Sequence, residues 1–133
     1  YLDGITAGTT AASKAVVADA NGAVGPIIMN GAFRLKRNTP VAATGAVIAN
    51  AAALTTGFTL VSGADNTVGV QIPAMAAGEE VWIYSNAASK ILKIWPQVGG
   101  QINEGGANSS YSTSAAAQMV VVVADTTTSA YVK

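Results

Sequence analysis

The chain has 133 residues, formal net charge +0 from seven basic and seven acidic residues, no His, no Cys, and only 11% charged residues. That is one domain's worth of chain, with room for an arm, and long enough to bury a core without metal or disulfide support. It excludes imidazole and thiolate chemistry and the usual transition-metal ligand sets, and it provides no basic field to attract nucleic acid. Half of the residues are hydrophobic, but alanine is the largest share, and Val and Ile dominate the larger apolar side chains. A weakly charged surface rich in Ala, Thr, Ser and Gly suits a chain that packs against neighbours. No run reaches the length of a membrane span; the longest strongly apolar stretch, Met119 to Ala124, is strand-sized. No signal-peptide pattern is visible. The chain opens at Tyr1 without a Met, which leaves room for a preceding piece.

In chain order, residues 1–25 (YLDGITAGTTAASKAVVADANGAVG) hold few large side chains. Lys14 to Asp19 reads as a short strand, with a turn at Asn21-Gly22, since both residues tolerate positive φ. Such a segment buries little surface by itself and is expected to be an arm ordered by a neighbour. The alternative is that it folds back as an edge of its own sheet. Residues 27–37 (IIMNGAFRLKR) predict two brief strands around Asn30-Gly31, with Phe33 and Leu35 covered and Arg34 and Lys36 wet. Arg34, Lys36 and Arg37 form the one basic cluster, expected to be a solvated face. Asn38-Thr39-Pro40 breaks the pattern, so the expected division is an arm, 1–38, and a body, 39–133.

In the body, Val41 to Ile48 is expected as a strand, and Asn50 to Leu54 as the only helical turn, capped by Asn50 and ended by Gly57. Phe58, Leu60 and Ser62 alternate with Thr59 and Val61; Gly63 to Asn66 turns the chain; Val68, Val70 and Ile72 share a face of the next strand, ended by Pro73. Glu79 to Asn103 predicts two strands, around Val81–Tyr84 and Ile91–Trp95, joined as a hairpin through Ser85 to Ser89 and followed by a Gly-rich corner. Gln118 to Val123, with no alternation, predicts a strand buried on both faces, and Ser129 to Val132 one that closes the sheet. Turns every ten residues or so give an all-β class, an antiparallel β-sandwich or barrel-like body with an extended N-terminal arm. The AASK tetrads at 11–14 and 87–90 read as turns leading into strands, not as a structural repeat.

The search for chemistry is mostly negative. Glu79 and Glu80 are adjacent, so on a strand they face opposite ways and cannot work as an acid–base pair. Asp65-Asn66-Thr67 lacks the acidic spacing of a calcium loop. Ser13-Lys14 and Ser89-Lys90 are adjacent pairs without the Ser-x-x-Lys spacing. The glycines at 99–106 lack the Lys-Ser/Thr ending of a phosphate loop. Trp82, Tyr84 and Trp95 could stack on sugars, though on strands such residues are more often core or interface. The reading is of a non-enzymatic protein with no catalytic residues, no cofactor and no metal.

The body from about residue 50 to 133 resembles a family of small tailed-bacteriophage virion proteins. A strand ending in Pro, a Gly turn and a hairpin precede ILKIWPQVGGQINEGGANSSY, then a final apolar strand. The opening LDGITAGTTAASKAVVADANGAVG resembles a short module near the start of phage head and tail structural proteins. The chain departs from the family pattern at Trp95 and Glu104. The resemblance implies a virion structural protein, most like a head decoration (cement) protein. Such a protein binds the outer surface of the major capsid protein lattice, self-associates as a homotrimer, lays its arm along a neighbouring subunit by strand addition, and touches neither nucleic acid nor membrane. The alternative is a tail or fibre component binding a host-surface glycan through Trp82, Tyr84 or Trp95; a third class is a non-viral extracellular β domain.

Overall fold

The computed structural model describes residues 35–115 and 119–133. The segment with the expected hairpins, 1–34, lies outside them, and Leu35–Lys133 is a compact unit. Residues 35–38 are built into that unit: Phe58 N–H donates to the Lys36 carbonyl at 2.9 Å, and Asn38 N–H donates to the Phe58 carbonyl at 2.8 Å.

Among the described residues ten short strands carry the fold: β1 Val41–Ala42, β2 Ala52–Ala53, β3 Gly57–Ser62, β4 Gly69–Gln71, β5 Glu80–Ser85, β6 Lys93–Trp95, β7 Gln101–Ile102, β8 Tyr111–Ser112, β9 Met119–Ala124 and β10 Ser129–Val132. They form a six-stranded sheet, β1-β3-β5-β9-β10-β7, and a four-stranded sheet, β2-β4-β6-β8. From β1 to β8 the chain alternates between the sheets. Each return stacks parallel on the last for three strands: β1 on β3 on β5, and β2 on β4 on β6. The all-β class is therefore as expected, but the antiparallel sandwich is not. Both sheets are mixed, and their first halves coil like a β-solenoid with roughly twenty residues per turn.

Stacking in register explains the core. Val61 stands between Val41 and Ser85 in one column, and Val70 between Ala52 and Ile94 in the other. Val61, Val70, Val81, Ile83, Leu92, Ile94 and Val122 are all buried essentially completely. Each such side chain contributes about 1.5–3 kcal/mol of hydrophobic stabilisation. Polar turn residues tie successive coils together: Ile91 N–H donates to Asn66 Oδ1 at 2.9 Å, and Asn66 N–H to the Ile91 carbonyl at 3.2 Å.

The coil ends by reversing direction. β8 pairs antiparallel with β6, and β9 antiparallel with both β5 and β10. The β9–β10 hairpin thus fills the gap between β5 and β7, and β7 lies parallel to β10 at the far edge. Its turn is closed by Thr126 Oγ1, which accepts from Ser129 N–H at 3.0 Å. Among the described residues the four edge strands (β1, β7, β2, β8) are each two residues long.

Several local expectations change. The strands at Glu80–Ser85 and Lys93–Trp95 do not form a hairpin; each joins a different sheet, because Ser85 to Ile91 carries the chain around the coil instead of reversing it. The strand expected over 41–48 stops at Ala42; Thr44 crosses to bridge Gly69, and Gly45 turns at φ 71°. The expected helical turn at 50–54 is a 3-10 turn at Ile48–Asn50, and Leu54 is drawn into extended pairing with the Gln71 carbonyl at 2.8 Å. β9 alternates between buried and half-exposed rather than being buried on both faces, since only one of its faces meets the other sheet. β10 lies inside the sheet, and β7 is the edge.

Candidate interaction surface

The residues weighed for chemistry fall into structural roles. Asp65 Oδ1 accepts from Thr67 Oγ1 at 2.7 Å, Thr67 N–H at 2.8 Å and Val68 N–H at 3.0 Å, closing the turn before β4. The Thr67 hydroxyl bond, followed by the two backbone bonds, holds its carboxyl below the ordinary value. Glu79 Oε2 accepts from Ala76 N–H at 2.8 Å and shapes the turn before β5, while Glu80 starts β5 itself. Ser89 and Lys90 are exposed, with Ser89 at φ 58° in a turn. Ser13 and Lys14 lie outside the described residues. In the Gly-rich corner Gly99 N–H donates to Asn108 Oδ1 at 2.6 Å and Asn108 N–H to the Gly100 carbonyl at 2.8 Å, so it is a self-bonded turn. No group of three metal-ligating side chains occurs among the described residues.

Two concavities among the described residues bear on binding. One, bounded by Ile72, Met75, Pro96, Gly100, Ala124 and Ala130, has a cavity volume of about 10 Å³, room for a single water. The other, of about 410 Å³, lies beside the first coil and is bounded by Lys36, Arg37, Asn38, Thr39, Val41 and Thr55 among others. Lys36 and Arg37 are exposed there, as expected for a solvated basic rim; Arg34 lies outside the described residues.

The distinctive surface is the outer face of the six-stranded sheet. On β3 and β5, Thr59, Val61, Val81 and Ile83 point into the core, so alternation sends Phe58, Leu60, Trp82 and Tyr84 outward. Register aligns them across strands: Phe58 with Trp82 and Val121, Leu60 with Tyr84 and Met119. Val123 stands beside Glu80 on one side and Tyr131 on the other. None of these large residues belongs to the core cluster, and Met119 and Tyr131 are 46% and 40% exposed.

Charge sits at the margins of this face. Glu80 accepts from Trp82 Nε1 at 3.0 Å and pairs with Lys133 Nζ at 3.2 Å. Arg37 aligns with Phe58 at the β1 side. At the other side Tyr131 donates its hydroxyl to Glu104 Oε1 at 3.1 Å. That bond, then the Glu104 charge itself, lifts the Tyr131 hydroxyl above its ordinary 10.0.

Of the three aromatics weighed for sugar stacking, Trp82 and Tyr84 share this face, while Trp95 lies on the outer side of the four-stranded sheet beside Gln71. Trp95 Nε1 is buried without a hydrogen-bond partner among the described residues, as is the Ser85 hydroxyl. Sequence alternation placed Trp82 with Tyr84 but could not add Phe58, Val121, Met119 and Tyr131, because their grouping depends on which strands neighbour one another.

Comparison with known proteins finds no family model, no curated protein and no solved structure that matches this chain.

Proposed function

We propose that the chain is a non-enzymatic bacteriophage head decoration (cement) protein that binds the outer surface of the major capsid protein lattice and stabilises the head. One observation supports the reading: a small, weakly charged β body carries large side chains outside its core cluster on one sheet face, Met119 and Tyr131 among them exposed. Such a surface suits contact with other proteins. The likeness of ILKIWPQVGGQINEGGANSSY and of the opening module to virion proteins supports the class, a virion structural protein, and the outer surface of the capsid is the location proposed with it. The body works as a self-associated unit, a homotrimer, and residues 1–34 supply the arm that clasps a neighbouring subunit. Many identical copies make individually weak contacts strong in sum.

The test uses undecorated heads built from the major capsid protein encoded with this chain. The full chain is expected to co-sediment with them at saturable stoichiometry and to raise the temperature at which they release DNA. Deletion of 1–34 is expected to leave a folded body that heads no longer retain. Heads that neither bind the full chain nor gain stability from it would sink the reading.

A second reading, a tail or fibre component binding a host-surface glycan, is favoured by the side-by-side Phe58, Trp82 and Tyr84. A saturable change in Trp fluorescence on titration with cell-wall saccharides would support it.

A further inference from the structure

The cavity of about 410 Å³ beside the first coil has no part in the proposed function. We propose that it binds a small polar molecule carrying a tetrahedral oxyanion, a phosphate or sulfate ester of about monosaccharide size. The inference goes beyond the decoration reading and does not rest on it.

The cavity lies at the start of the coil. β1 and β2 are the first edges of the two sheets, and among the described residues no strand lies beyond them. Residues 36–41, which lead into the six-stranded sheet, form one wall; Ala53 and Thr55, at and just after the end of β2, form the other. Asn38 ties the walls together. Its Nδ2 donates to the Thr55 and Thr56 carbonyls at 3.2 Å each and to the hydroxyl of the buried Thr59 at 2.9 Å. The separation of the walls is therefore set before any ligand arrives, which lowers the ordering cost of binding. A volume of about 410 Å³ falls within the range of small-molecule sites.

The lining is positive and rich in donors. Lys36 and Arg37 both line the cavity, and neither pairs with a carboxylate among the described residues. No Asp or Glu lines it. The Thr39 and Thr55 hydroxyls, on opposite walls, have no hydrogen-bond partner among the described residues. The Thr55 carbonyl, which would repel an anion, is already taken by the Asn38 amide. Free donors thus stand on both walls. A carboxylate offers two oxygens in one plane, whereas a phosphate or sulfate ester offers three around a tetrahedron and is reached from both sides. Arg37 supplies a planar fork of donors and Lys36 a compact charge, the pairing that suits such oxygens. Val41 and Ala53 leave a short apolar stretch for the carbon body of the ester. The other lysines among the described residues lack this setting: Lys133 is paired with Glu80, and neither Lys90 nor Lys93 lines the cavity.

Isothermal titration of the full chain with glucose 6-phosphate tests this. Saturable binding at one site per chain is expected, and glucose itself should give no measurable binding. Lys36→Ala and Arg37→Ala each remove a charged hydrogen-bond donor and should raise the dissociation constant by about tenfold or more. Thr55→Val removes a neutral donor and should raise it by about fivefold. Lys90→Ala, an exposed lysine away from the cavity, should leave it unchanged. Glucose 6-sulfate separates the two sources of the oxyanion: binding of both esters marks a site for either, and binding of one alone names it. Circular dichroism and a thermal melt run on each variant show that it is folded; Lys36 and Arg37 are exposed and can change without disturbing the core.

No heat of binding with either ester at millimolar concentration, Lys36 and Arg37 variants that bind like wild type, or an equal loss with Lys90→Ala would each overturn the site. Glucose that binds as tightly as its esters would overturn the oxyanion. Inorganic phosphate that binds as tightly as glucose 6-phosphate would overturn the place assigned to the carbon body. Head binding is measured separately by co-sedimentation. A chain that decorates heads and ignores both esters overturns this inference and spares the decoration reading; one that binds an ester and ignores heads does the reverse.

Discussion

A Cβ placed on Gly69 would lie 2.2 Å from the carbonyl oxygen of Lys93 and 2.8 Å from its Cβ. Gly69 opens β4 and Lys93 opens β6 directly beside it, so the two backbones meet where a side chain has no room. Gly69→Ala must push β4 and β6 apart. The expected loss is about 1–3 kcal/mol or more in denaturant unfolding. Gly78, at φ 85° with open space around its Cβ position, is the contrast. Gly78→Ala meets only the left-handed backbone penalty of about 1–2 kcal/mol and should leave strand pairing intact. Backbone amide exchange at β4 and β6 separates the two effects.

Ile94 is fully buried and stacked on Val70 in the four-stranded sheet. Ile94→Ala should cost about 2–5 kcal/mol, from lost transfer energy and the cavity left behind. Val98 is 77% exposed, so Val98→Ala should stay within about 0.5 kcal/mol of wild type. Equal midpoints for the two variants would contradict the assigned core.

Asn38 fastens the start of the body. Its Nδ2 donates to the Thr55 and Thr56 carbonyls at 3.2 Å each and to Thr59 Oγ1 at 2.9 Å. Asn38→Ala should lower stability by about 1–2 kcal/mol. Asn38→Asp should be worse, since a carboxylate would then face two carbonyl oxygens, and the deficit should shrink at acid pH as that carboxyl gains a proton. Thermal melts at neutral and acid pH check both parts.

Asp65 makes the acid side of the stability profile predictable. Hydrogen bonds from Thr67 and Val68 hold its folded-state carboxyl below the ordinary 3.8, so the folded chain releases that proton more readily than the unfolded one. Its contribution is present above the ordinary value and is lost as pH falls through the lowered one. Asp65→Asn keeps an acceptor oxygen for the turn, and its stability should lose that acid-side slope. An unchanged slope below pH 4 would assign the acid response to other carboxyls.

Tyr131 acts in the opposite direction at the alkaline end. Its hydroxyl is held protonated by Glu104, above the ordinary 10.0. The contribution is present below that value and is lost as pH rises through the raised folded one. Tyr131→Phe should remove this alkaline component, and spectrophotometric titration of the phenolate should show one fewer late-titrating group.

What the sequence made legible was local. Alternation in Phe58–Ser62 and Val81–Tyr84 gave the strands and their inner and outer residues, and Gly63–Asn66 gave the turn. Pairing was not legible. Ser85 to Ser89 carries turn-forming residues whether the chain doubles back or swings to another layer, so a hairpin was expected where a coil is found. Successive coils share geometry but no residue pattern, so no period betrayed the parallel stack. The Asn50–Leu54 segment is alanine-rich and suits a helix locally, yet Leu54 is drawn to Gln71 because pairing outweighs propensity over so few residues. For the interaction surface, Trp82 and Tyr84 were visible in the sequence, but Tyr131 and Met119 join them only because the last hairpin inserts beside β5.

The two-residue margins of both sheets bear on growth. A stub of that length offers an incoming strand too few amides to seed further layers. Among the described residues, stacking end over end into a fibril is thereby discouraged.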